Sequence, residues 1–139
     1  MTSDNSFNTF MNAALEIGVT HAGSGRGAFH PVLVLESGSG ERSTVIMQVD
    51  EQQPPDIVIP AACATLRDKP NLQRYAVVSS LTIKLEGKST EAIGIEAAER
   101  GMESGVFSVV PFKRRFMSNK VEIPGAPIVA NRPPNHLGG

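Results

Sequence analysis

Apolar and polar residues alternate through the second half of the chain, and that period of two predicts three consecutive β-strands. They read as Arg74–Leu85, Thr90–Glu99 and Gly105–Phe116, joined by turns at Glu86-Gly87-Lys88-Ser89 and Gly101-Met102-Glu103-Ser104. In the first, Tyr75, Val77, Ser79, Leu81, Ile83 and Leu85 share a face; in the second, Ile93, Ile95 and Ala97 do. The third is apolar on both faces: Val106, Ser108, Val110 and Phe112 alternate with Phe107, Val109 and Pro111. Pro111 has no N–H, which favours an edge position or a bulge.

Upstream the period changes. Phe7, Phe10, Met11, Ala14 and Ile17 fall on one helical face, so Ser6–Ile17 predicts an amphipathic helix with N-cap candidates in Ser3 to Ser6 and Gly18 as its stop. Gly18–His30 reads as a loop. Pro31–Glu36 and Ser43–Asp50 read as strands around the flexible segment Ser37–Arg42, with Val45, Met47 and Val49 facing inward in the second. After the break at Pro54-Pro55, Asp56 is placed to cap a helix running to about Lys69 and stopped by Pro70. Pro60 is compatible with that helix only in its first turn. Prolines and glycines from Pro124 onward argue against regular structure there. The expected organisation is one α+β domain over residues 1–116, followed by an extended or disordered arm over 117–139. The domain is a two-layer unit of about five mainly antiparallel strands with two helices.

Composition narrows the function classes. The 139 residues suit one domain, and 40% hydrophobic content can supply its core. Aromatics make up 5% with no Trp, which disfavours a surface that stacks bases or sugars. One cysteine, Cys63, makes no internal disulfide. No apolar run approaches the roughly 20 residues of a membrane helix, and Met1–Asn5 lacks the basic and apolar regions of a signal peptide. A cytoplasmic protein without membrane partners is expected. The net charge of −1 conceals an asymmetry: residues 1–60 carry −5, residues 61–109 are neutral and residues 110–139 carry +4. Opposite ends of this kind can pair within one molecule or between two.

The candidate chemistry is thin. Gly23-Ser24-Gly25-Arg26-Gly27 follows a helix, precedes a strand and lacks a following Lys, so it reads as a connector rather than a phosphate cradle. His21, His30 and His136 fit no zinc spacing, and no metal or other cofactor is expected. Cys63 lies among alanines and reads as a small buried hydrophobe. Ser79 and Ser80 lack a nucleophile elbow. Glu91 and Glu99 share a face but stand about 26 Å apart along a strand, too far for paired acid–base work at roughly 5–9.5 Å. Glu96 and Arg100 share the other face, as a cross-strand ion pair would. Lys113, Arg114, Arg115 and Lys120 form the strongest electrostatic feature. They read as gatekeepers of a strand edge, as partners for the acidic half, or as an anion- or nucleic-acid-binding segment.

Tyr75-Ala-Val-Val-Ser79, followed after a hairpin by Glu91-Ala-Ile-Gly-Ile-Glu-Ala-Ala-Glu99-Arg-Gly101, resembles a pattern of small uncharacterised bacterial and phage-type proteins. In those proteins a YAFVSE strand pairs with an EvLxVxAEDRdG strand. Here Ser80, Leu81 and Thr82 stand where the family has an acid and a Trp. The resemblance implies an α+β fold and a prokaryotic or phage setting, and brings no activity and no site.

The sequence therefore points to a non-enzymatic protein-interaction module that self-associates, with the third meander strand or the C-terminal arm as the contact. An anion- or nucleic-acid-binding module through Lys113, Arg114, Arg115 and Lys120 is the alternative. A further alternative is an enzyme with a site at a subunit boundary, built from Glu96, Arg100 and the loop histidines His21 and His30.

Overall fold

The structure is a computed structural model that describes residues 2–25, 28–114 and 120–137. Helix α1, Thr2–Gly23, is longer than its apolar stripe predicts. Phe10, Ala14, Gly18 and Ala22 recur every four residues and are buried along one line of it. Gly18 does not stop the helix. It lies mid-helix, where an added Cβ would sit 2.7 Å from Ile93 Cγ2 and 3.0 Å from Val78 Cγ1. The missing side chain lets the helix lie close to the sheet.

The strands are β1 (Val32–Ser37), β2 (Arg42–Ile46), β3 (Leu72–Leu85), β4 (Lys88–Glu99), β5 (Val106–Pro111), a short pair β6 (Lys113–Arg114) and β7 (Val121–Glu122), and β8 (Ile128–Asn131). Six of them form one open antiparallel sheet in the order β2-β1-β3-β4-β5-β8, and β6 pairs with β7 separately. The fold is α+β, as expected. The sheet gains its sixth strand from the Pro/Gly-rich tail: β8 pairs with β5 through Val109↔Ile128 and Ser108↔Val129. Regular structure in the last sixteen residues is therefore a correction. The four residues of β8 lie between Pro127 and Pro133, so no proline falls within its ladder. The third meander strand is apolar on both sides because both sides are used within the chain. Val110 joins the core under α1, Val109 points the other way, and β8 covers the edge.

One face of the sheet, formed by Val32, Val34, Ala76, Val78, Ile93, Ile95, Ala97 and Val110, packs on α1. The other, around Leu33, Tyr75, Val77 and Ala98, is covered in part by α2 (Pro55–Cys63), a 3-10 turn (Leu66–Asp68) and the C-terminal Leu137. α2 ends sooner than expected, at Cys63 rather than about Lys69. Pro60 lies past its first turn, where it removes a helical hydrogen bond. Its N-cap is Pro54 with no side-chain cap, and Asp56 sits in the first turn. β2 is shorter than expected and exposed throughout, with Met47 buried just beyond it.

The tail is held by polar contacts. Asn135 Nδ2 donates to the carbonyls of Glu99 and Met102 at 2.9 Å each, and its Oδ1 accepts from the Leu137 N–H at 3.0 Å. The Arg100 guanidinium donates to the carbonyls of Leu72, Leu137 and Lys69. At the same end of the sheet a chain of charges crosses four strands. Arg42 meets Glu36 at 2.7 Å, Glu36 meets Arg74 at 2.6 Å, and Arg74 meets Glu99 at 2.6 Å.

Candidate functional site

At the far end of the sheet from that charge chain, β3 and β4 outrun their neighbours. β1 stops opposite Val78, and β5 stops where Pro111 pairs with Ala92. The hairpin beyond closes through Glu86 (φ 51°) and Gly87 (φ 80°), two successive left-handed residues that match the twist of a two-residue turn. The flanking Leu85 and Lys88 face each other across it. In such a hairpin the flanking pair bonds mutually, so the odd-numbered residues of β3 direct their N–H and C=O groups toward β4. The bond from Arg100 N–H to the Gln73 carbonyl, at 2.8 Å, has the same phase. The backbone groups of Ser80, Thr82 and Lys84 therefore point to the other side. From Leu81 to Leu85 no strand lies there among the described residues.

Side chains on this projection divide by face. Thr82 and Lys84 lie on one; Leu81, Ile83 and Leu85 lie on the other, with Leu85 exposed. Gly94 makes room for Leu81, whose Cδ1 would be 2.7 Å from a Cβ at that position. Next to Leu81 opens a cleft of about 560 Å³. Ser79, Ser80 and Leu81 form its floor. Phe29 and Pro31, in the chain entering β1, form one wall, and Ile59 and Pro60 of α2 form another. Among the described residues, Asp56 is its one charged lining residue. The volume lies within the range of ligand pockets, about 300–1,000 Å³, and the lining is apolar. Ile57 is exposed on the same helix.

The residues singled out by sequence go elsewhere. Arg114 makes a two-pronged pair with Glu91, at 2.8 and 3.0 Å. It also donates to the carbonyls of Ala22 and Gly25, closing the C-terminal end of α1. Lys113 is exposed opposite Glu122 in the β6–β7 pair, and Lys120 is exposed. Arg115 lies outside the described residues. Glu96 and Arg100 do not pair: Glu96 meets His136 at 3.3 Å, and Arg100 binds carbonyls. His21 and His30 both line a second cleft of about 310 Å³. They sit on the α1 side of the sheet, opposite Glu96, so Glu96, Arg100 and these histidines do not converge. His30 Nδ1 accepts the Val49 N–H at 3.2 Å.

Beneath the tail, burial pushes the Cys63 thiol up to about 11, with Glu96 adding to it. Burial likewise pushes the Tyr75 phenol up to about 12, against the lowering effect of the bond from the His136 N–H. Both groups are neutral at ordinary pH, which suits packing and not nucleophilic attack. Among the described residues no group of three or more His, Cys, Asp or Glu side chains is placed to hold a metal ion, and no helix is long and apolar enough to cross a membrane.

The cleft escapes a reading of the sequence because its lining comes from four separated segments. The hairpin signal was there in Glu86-Gly87; what it lacked was the position at which β1 and β5 stop. Set against protein-family models, curated proteins and solved structures, the chain matches none.

Proposed function

We propose that this chain is a non-enzymatic protein-interaction module whose working surface is the apolar cleft together with the projecting β3–β4 hairpin. One observation carries the reading: a β-strand edge without a neighbour among the described residues runs straight into a cleft lined by apolar side chains. An edge offers backbone hydrogen bonds to an arriving strand, and a pocket beside it selects side chains. The anion-binding reading has less support, because Arg114 is engaged with Glu91 and two carbonyls. The test is a photo-crosslinking residue placed singly at Ile57, Leu85 or Arg67 in producing cells. Protein adducts at positions 57 and 85, and none at 67, are expected. Absence of adducts at 57 and 85 would refute the reading.

A further inference from the structure

Resting on that reading, we propose that the occupant of the β3 edge is the same edge of a second copy, paired antiparallel about a two-fold axis at Ile83. The phase of the backbone permits this pairing. Thr82 and Lys84 turn their N–H and C=O groups outward, so Thr82 of one copy exchanges bonds with Lys84 of the other, and Ile83 meets Ile83 at a non-bonded position. The register follows from the room available. An axis at Thr82 would bring the second copy's Leu85 opposite Ser79, one step from the last β1–β3 pair, Val32↔Val78, where the chain entering β1 at Pro31 is in the way. An axis at Lys84 would leave only the last three residues of β3 in contact. Ile83 uses the whole edge from Leu81 to Leu85.

Side chains agree with the backbone. With this axis Leu81 faces Leu85 of the other copy, and all six apolar residues of the two edges fall on one face, beside both clefts. Thr82 meets Lys84 on the opposite face, so no like charges stand opposed. The arriving turn carries Glu86 and Lys88; Lys88 pairs with Leu85 and so lies on the face of the cleft, which carries Asp56. The outer edges of β2 and β8 lack this one-sidedness. Their exposed apolar residues, Val45 with Ile46 and Ile128 with Val129, are adjacent in sequence and point to opposite faces. A two-fold pairing also closes on itself, so it ends at a dimer rather than growing into a fibre.

The test uses the full chain with Ile83→Cys, compared with Ser89→Cys on β4 and with the parent, whose Cys63 is buried. Facing Cα atoms at a non-bonded pair stand about 4.5 Å apart, within the disulfide range of roughly 4.4–6.8 Å. Position 89 would stand about 16 Å from its mate, three strand spacings across and, because Ser89 pairs with Lys84, two residues along. Under mild oxidation the Ile83→Cys chain should form a disulfide dimer at least roughly ten-fold faster than either control. Thr82→Pro removes an outward N–H and no bond to β4, so it should sediment as a monomer while melting like the parent. A parent dimer that survives Thr82→Pro, with equal disulfide rates, would overturn this edge and leave the interaction reading standing. A parent that is monomeric at every accessible concentration, with no disulfide at position 83, would overturn the second copy as partner. The mass of the photo-crosslinked adducts would then identify a different protein on the same surface.

Discussion

Gly18→Ala measures how tightly α1 is held on the sheet. In an isolated helix the change is favourable by about 1 kcal/mol. Here the new Cβ arrives 2.7 Å from Ile93 Cγ2 and 3.0 Å from Val78 Cγ1. Both neighbours are β-branched, have no exposed surface and lie in adjacent strands, so neither has a free rotamer to move into. Overpacking of a filled core costs about 1–3 kcal/mol, and two stiff neighbours place this site near the top of that range. The net expectation is a loss of about 2 kcal/mol, the difference between those two terms. Urea unfolding followed by circular dichroism should show a lower midpoint with an unchanged slope. Ile93→Leu moves the branch away from Cβ at nearly constant volume, and alone should cost less than about 1.5 kcal/mol. Combined with Gly18→Ala it should recover at least about 1 kcal/mol relative to the sum of the two. A Gly18→Ala chain as stable as the parent, or a strictly additive pair, would refute the close approach as the reason for this glycine.

Two further outcomes are expected. Arg74→Met leaves Glu36 and Glu99, with side chains 7% and 13% exposed, without the guanidinium between them. It should cost about 3–5 kcal/mol in urea unfolding, with part restored by Glu36→Gln; a loss under about 1 kcal/mol would show the chain of charges to be dispensable. The second concerns alkaline pH. Burial raises Cys63 from 9.0 to about 11 and Tyr75 from 10.0 to about 12, so folding favours the protonated forms. Their contribution is complete below the unfolded values and is lost as pH rises through the folded ones, roughly 2–3 kcal/mol for each group. Stability should hold level up to about 9 and fall between there and about 12. The tyrosinate absorbance of the single tyrosine should appear together with unfolding, and its appearance in a folded chain near its ordinary pKa would contradict the burial of Tyr75.

Period-two alternation located β3, β4 and β5, and the helical stripe located α1, because burial on one face writes itself into the order of residues. Punctuation was less dependable. Gly18 is the same residue whether it ends a helix or lets one lie close to a strand, and only the distance to Ile93 distinguishes the two. Pro127 and Pro133 were legible as breaks, but the four residues of β8 between them gain their structure from β5, which lies outside their own sequence neighbourhood. Arg114 was legible as charge and not as a partner of α1, since its acceptors are backbone carbonyls that every residue carries. Of the candidate site, the turn at Glu86-Gly87 and the apolar face Leu81, Ile83 and Leu85 were readable. Which edge is left open depends on where two other strands stop.

The charge chain from Arg42 through Glu36 and Arg74 to Glu99 does something that the hydrophobic pattern cannot. A slip of one residue between strands turns the core side chains outward and is rejected at once. A slip of two keeps Val32, Val34, Ala76, Val78, Ile93 and Ile95 all on the α1 side, so burial alone barely distinguishes it. The charges do distinguish it. With β1 displaced by two residues along β3, Glu36 would face Leu72 or Ala76 rather than Arg74, and a buried carboxylate would keep Arg42 but lose the second of its two partners. One residue from each of four neighbouring strands thus acts as an index mark, setting the alignment of the sheet where greasiness is degenerate.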